Sequence, residues 1–135
     1  MDWTDEGVIV SLRAHGETSA IIDVLTAEHG RHAGVVRGGA SRKMTPVLQP
    51  GTQVSVTWRA RLAEHLGSFR VEPIRARTRL LGDRAALAGL SSVCALVRFG
   101  FPERMDLPDL YTATVDLIDR MEADCLLYTS DAADD

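Results

Sequence analysis

Cysteine is scarce in this chain. Cys94 and Cys125 are the only two in 135 residues, lie 31 positions apart and form no CxxC pair. Such spacing encodes neither a disulfide framework nor a zinc site. Aromatic residues make up only 5% of the chain. No apolar run approaches the ~20 residues that a membrane span needs. The acidic start, Met1-Asp2-Trp3-Thr4-Asp5-Glu6, lacks the basic-then-apolar order of a secretory signal. These absences lead to the expectation of a soluble chain in a reducing, cytoplasmic compartment with no membrane partner. At 45% hydrophobic and 25% charged, the chain has an ordinary globular composition rather than that of a disordered one. Its length suits one domain, or a small domain with part of a second.

Catalytic constellations are missing as well. The histidines are His15, His29, His32 and His65. Gly30 between His29 and His32 argues for a turn rather than a shared helix face, and neither has an acidic partner at metal-site spacing. Glu64-His65 reads as a loop tip. Ser11, Ser41 and Ser55 have no nucleophile-elbow context. Gly38-Gly39-Ala40-Ser41 lacks the GxxxxGK[ST] spacing of a phosphate cradle. Cys94 falls on an apolar helical stripe and reads as a small buried hydrophobe. The expectation is therefore no catalytic residue, no metal site and no cofactor.

The net charge of −4 hides a division. Residues 1–79 carry a net +3 and residues 80–135 a net −7. Such asymmetry points to separate units with separate partners. The hydrophobic period divides at the same place. Val8, Val10 and Leu12 alternate with Ile9, Ser11 and Arg13, and Val54, Val56, Trp58 and Ala60 alternate with polar residues up to Arg61. This period of two predicts strands with one buried face. Ala20–Leu25 and Ala33–Val36 are shorter apolar runs that predict strands buried on both sides. Leu66–Ile74 predicts a fifth strand, with Phe69 and Val71 inward, Arg70 and Glu72 outward, and Pro73 ending its ladder. His15-Gly16-Glu17 and Glu28-His29-Gly30-Arg31 predict hairpin turns. A longer connection runs from Gly38-Gly39 to Gln49-Pro50-Gly51. Five short strands in this order suit a small closed barrel of the OB-fold kind.

Past residue 80 the period becomes helical. Leu87, Leu90, Cys94, Val97 and Phe101 predict a helix starting near Gly82-Asp83. Leu110, Leu117, Ile118 and Met121 predict a second one, opened by Pro108. Two such stripes need the barrel, or a further segment, to cover them.

Cations supply the most specific chemistry. Arg37, Arg42 and Lys43 surround the Gly38-Gly39 loop, Arg59 and Arg61 are expected on one face of the fourth strand, and Arg31 enters the third. Arg70, Arg75, Arg77 and Arg79 continue the stripe. Guanidinium forks match phosphate oxygens, so the pattern predicts salt-sensitive, weakly sequence-selective binding of a polyanion. Stacking platforms are few. Trp58 and Phe69 fit a buried face, Trp58 being open to either core or base-stacking use. Trp3 lies ahead of the first predicted strand and is expected to be a free surface ring.

The run Thr4-Asp5-Glu6-Gly7-Val8-Ile9-Val10, with Arg13-Ala14-His15-Gly16-Glu17-Thr18-Ser19, closely resembles the start of the RecO family of bacterial DNA repair proteins. The resemblance continues through Leu25–Arg31, Val36–Arg42 and Leu48-Gln49-Pro50-Gly51, and covers roughly residues 4–124. Trp58-Arg59-Ala60-Arg61 and Glu64-His65-Leu66-Gly67 resemble its alphaproteobacterial branch. The resemblance implies an α+β chain, with an N-terminal five-stranded OB-fold barrel at 1–79 and an incomplete all-helical domain at 80–124. It implies a non-enzymatic recombination mediator of the RecF pathway, which binds single- and double-stranded DNA and anneals complementary strands. Implied partners are RecR and the acidic tail of single-strand-binding protein, with RecA helped onto coated DNA. The family's DNA-contact role carries over to Arg31, Arg37, Arg42, Lys43, Arg59 and Arg61. The alternative is an OB-fold protein-interaction module for which nucleic acid is incidental. Residues 125–135 do not resemble the family. They resemble a translated sequencing adapter and are expected to be an artefact, a real acidic tail that mimics nucleic acid being the other reading.

Overall fold

The computed structural model describes residues 2–62 and 65–134, with side chains as far as Cys125. Glu64, of the expected loop tip, and Asp135, of the expected artefact, lie outside those residues. The alternating and β-branched runs form five strands: β1 (Asp2–His15), β2 (Ser19–Thr26), β3 (Arg31–Val36), β4 (Gln53–Arg59) and β5 (Ser68–Arg75). Three helices follow, α1 (Thr78–Leu81), α2 (Arg84–Gly100) and α3 (Pro108–Asp134), which makes the chain α+β. No described helix is long and apolar enough to cross a membrane. The hydrogen-bonded strand order is β1-β2-β3-β5-β4, and β4 returns to β1, so the sheet closes on itself. Four of its seams are antiparallel ladders. The fifth, between β3 and β5, is parallel and consists of the single pair Val35 and Ser68.

The first strand departs from the simple period of two. It begins at Asp2 because residues 2–8 pair with β4, from Asp2 opposite Arg59 to Val8 opposite Gln53. Trp3 is therefore inside β1, opposite Trp58, and not a free ring ahead of it. Farther along, a register shift between Ile9 and Ser11 inserts one residue. Ile9 and Leu12, three apart, both join the barrel interior, whereas Val8 and Val10 join the helices' core outside it. The segment Gly7–Val10 is thus buried on both faces, where alternation predicted one. Three other expectations need correction. β3 alternates buried with half-buried residues, so Ala33–Val36 is not fully buried on both sides. Arg61 lies beyond the end of β4, and β5 runs past Pro73 to Arg75. Pro73 is tolerated because the β4–β5 register shifts beside it, between Gln53 and Val54.

Two cores result. Inside the barrel, Ile9, Ile22, Val24, Val54, Val56 and Trp58 pack with Leu48 from the long connection. Outside it, Leu80, Leu90, Cys94, Val97 and Ile118 close over Val8, Val10 and Leu25. Asp83 caps α2 by accepting a hydrogen bond from the Ala86 amide at 3.0 Å, which sets the phase that turns Leu90 and Cys94 inward. The α2 stripe is thus covered chiefly by β1 and α3 packs on α1 and α2, while Leu87 and Leu117 of the two stripes stay exposed. Burial pushes the Cys94 thiol up to about 11, so it packs as an inert hydrophobe. Leu96 and Phe99, on the far face of α2, stay 66% and 77% exposed.

An ion cluster ties the last strand to the last helix. Arg77 is fully buried, and its Nη1 lies 2.7 Å from Asp119 and 3.2 Å from Glu122 of α3. Arg75 shares both carboxylates. These two arginines therefore brace the helices and do not extend the cation stripe. Removing the carboxylates would leave a buried guanidinium uncompensated. Asp119→Asn with Glu122→Gln is expected to cost about 3 kcal/mol by urea unfolding, against under about 1 kcal/mol for the half-exposed Arg75→Ala. A loss no larger than that of Arg75→Ala would show that the cluster does not hold α3.

At one barrel end the rings of Trp3, His32 and Trp58 meet, with His32 at 5.0 Å from Trp3 and 5.3 Å from Trp58. His32 is buried and its Nδ1 has no hydrogen-bond partner among the described residues. Burial, helped by Arg104 and His29, lowers its pKa from 6.5 to about 4. The folded state thus prefers the neutral ring. Unfolded chains bind more protons between those two pH values, so stability is full above about pH 6.5 and falls as pH drops toward 4. His32→Phe should flatten the pH 6.5–5 part of a urea-midpoint profile. An unchanged slope there would sink the assignment.

Candidate nucleic-acid interface

The interface is built where the barrel is least zipped. Beyond the single pair Val35 and Ser68, β3 and β5 separate, and a groove of about 640 Å³ opens between them. Arg37 and Met44 line one side, and Thr57, Arg59, Ser68 and Arg70 the other. Val36, Phe69 and Val71 supply its apolar lining. The β4–β5 register explains the second side: Thr57 stands opposite Arg70, and Arg59 opposite Ser68. Trp58 and Phe69, one residue out of phase, turn into the core.

The long connection is held in a coil by its own bonds. The Thr45 amide donates to the Ser41 carbonyl at 2.9 Å, and the Leu48 amide to Met44 at 3.1 Å. The Ser41 hydroxyl accepts from the Met44 amide at 3.2 Å. This winding drives Leu48 into the barrel and leaves Arg42 and Lys43 exposed, just ahead in the chain of Met44 of the groove. Arg61 meets Arg59 in an adjoining concavity with Asp2, whose carboxylate is 3.8 Å from Arg59. Among the described residues, Arg37, Arg42, Lys43, Arg61 and Arg70 form no ion pair.

Arg31 stands apart from this set. It pairs with Asp23, donates to the Phe101 carbonyl at 3.2 Å and lies 3.7 Å from Glu103. Its side chain is 11% exposed, in a separate concavity with Arg13 and Arg98. Burial raises the Asp23 carboxyl pKa even against the pull of Arg31. The structure therefore gathers Arg37, Arg59 and Arg70 at one groove, adds Arg42, Lys43 and Arg61 at its margins, and uses Arg31 to bind the barrel to the α2–α3 link. In the sequence Arg70 is one cation of a stripe. The signal that singles it out is its cross-strand pairing with Thr57, which a single sequence does not reveal.

Trp3 is half-buried, stacked on His29 at 3.9 Å with planes 5° apart and 5.7 Å from Trp58. Asp5 fixes His29 through a 3.0 Å contact to Nδ1. Trp58 is core, its Nε1 donating to the Leu66 carbonyl at 3.1 Å. The groove thus offers cations and a mixed floor but no fully exposed ring. No group of three or more His, Cys, Asp or Glu among the described residues is placed to hold a metal.

A family model for the N-terminal part of recombination protein O matches residues 1–77. The chain is 57% identical over 122 residues to a DNA repair protein RecO of Cereibacter sphaeroides, covering 90% of this chain and 51% of the relative. It is 58% identical over 120 residues to that of Roseobacter denitrificans, covering 88% and 50%. For the Ruegeria protein it is 52% identical over 127 residues, covering 93% and 53%. The chain spans about half the length of the curated relatives it matches. With its five-stranded region matched almost end to end, the chain belongs to the recombination protein O family.

Proposed function

We propose that the chain is the DNA-binding part of a recombination protein O, that its closed sheet is an OB-fold, and that the β3–β5 groove holds a phosphodiester backbone. The observation that carries this reading is the convergence of Arg37, Arg59 and Arg70 on one groove, with Arg42, Lys43 and Arg61 at its edge. Arg59 faces Asp2, but the other five have no carboxylate partner among the described residues and so keep their attraction for phosphate; each contact releases a counterion. Backbone contact of this kind positions a strand without reading its bases. The relatives' name as DNA repair proteins points the same way. Binding is non-catalytic and serves annealing and the exchange of single-strand-binding protein for RecA, with RecR as partner. The working parts are the barrel at 1–79 and the helices at 80–124. Residue 79 falls inside α1, and α3 continues unbroken past 124, so neither boundary is marked by a gap in secondary structure.

One observation favours a second reading, a protein-interaction module with incidental DNA binding: the rings that could stack bases, Trp58 and Phe69, are spent in the core. Capture of RecR by the chain in the absence of DNA, with no oligonucleotide affinity at low salt, would select it.

The groove reading makes a quantitative claim. Anisotropy titrations of single-stranded oligonucleotides across a salt series should give a steep log–log decline. Arg37→Ala, Arg42→Ala and Lys43→Ala combined should make that slope shallower by about 2 and weaken all sequences alike. An affinity indifferent to salt, or to the triple change, would remove DNA from this surface.

A further inference from the structure

The segment between α2 and α3, residues 101–107, crosses the barrel end and is fastened to the β2–β3 hairpin. The Arg104 amide donates to the Arg31 carbonyl at 2.8 Å, and Glu103 forms an isolated bridge with Arg31. The Met105 backbone lies against Gly30, where any side chain would collide with it. Within this strap Arg104 has φ +61°, and it alone among the described non-glycine residues adopts a positive φ. Ordinary residues rarely take that conformation, and they hold it where the surroundings enforce it and the side chain has a task.

The side chain's contacts define the task. Arg104 Nη2 donates to the His65 carbonyl at 2.7 Å, and its guanidinium lies 5.5 Å from the centre of the Trp58 ring. Both partners belong to the approach of β4 and β5. The Trp58 indole donates to the Leu66 carbonyl, and Gly67, at φ +72°, rests on that indole so closely that no side chain fits. The His65 amide donates to the Leu62 carbonyl at 3.1 Å, next to Arg61. A set of contacts therefore runs from the strap, through Arg104 and His65, to Leu62, the chain neighbour of the outer cation Arg61. A glycine at 104 would suit the backbone better but would delete the contacts to His65 and Trp58.

We propose that Arg104 is a positioning residue for the nucleic-acid surface, holding the β4–β5 turn so that Arg61 and Arg59 stand where the groove needs them. The inference rests on the proposed DNA-binding role of that groove. It makes the strap a mechanical link between the helical unit and the cation surface.

Arg104 is itself an exposed cation, so the test must separate holding the turn from touching phosphate. In the full chain without DNA, Arg104→Ala should speed amide exchange at His65–Gly67 and leave the amides of α2 and β1 unchanged. Arg104→Gly, which deletes the same side chain while relieving the positive φ, should do likewise. Both should bind single-stranded oligonucleotides about fivefold more weakly. In an Arg59→Ala/Arg61→Ala background, adding Arg104→Ala should cost nothing more. Unchanged exchange at His65–Gly67 would overturn the proposal, and so would a full additional loss in the double-variant background, which marks direct phosphate contact. If the unmodified chain binds no DNA, the groove reading falls, and the exchange experiment alone decides whether Arg104 holds the turn.

Discussion

The inserted residue in β1 is the constraint on which the architecture turns. Shifting register between Ile9 and Ser11 lets one strand serve two cores, with Ile9 and Leu12 inside the barrel and Val8 and Val10 under the helices. The same strand closes the barrel by pairing with both β2 and β4. Barrel closure and helix docking are therefore not independent events. A change that slips β1 by one residue would expose one hydrophobic set while misplacing the other. Gly7, just ahead of the insertion, has Val24 and the Leu25 carbonyl where a side chain would project, so the approach of β1 to β2 is close at the point where both cores begin.

Charge is organised around that scaffold rather than spread along it. Arginines near β5 divide by function according to what faces them. Arg70 looks across at Thr57 and lines the groove. Arg75 and Arg77, a few residues later, meet Asp119 and Glu122 and become structural. The acidic character of the helical part, which in the sequence looks like a separate property, is in part the counter-charge of the barrel's last arginines. Arg31 follows the same logic with Asp23 and Glu103.

Much of the secondary structure was legible because strands and helices announce themselves by period. The Asp83 start of α2, the Pro108 start of α3, the hairpin at Gly30 and the burial of Cys94 all follow from local rules. What escaped depends on pairing between distant residues. Nothing local says that Asp2–Glu6 will extend β1 along β4, or that Pro73 will be absorbed by a shift in its neighbour. The candidate site divides along the same line. Arg37, Arg42 and Lys43 were readable from a glycine-marked loop, whereas the pairing of Arg31 with Asp23 and the place of Arg70 in the groove depend on neighbouring strands. Arg104 had no signal at all, since a residue's φ value and a ring beneath it are tertiary facts.

The seam between β3 and β5 gives the groove a property beyond its charge. Every other seam of the barrel is a ladder of several pairs, whereas this one is a single parallel pair at Val35 and Ser68. Widening the groove therefore disturbs one pairing at its apex and leaves the remaining ladders intact. The barrel is thus laddered around most of its circumference and joined at the slot by one pair.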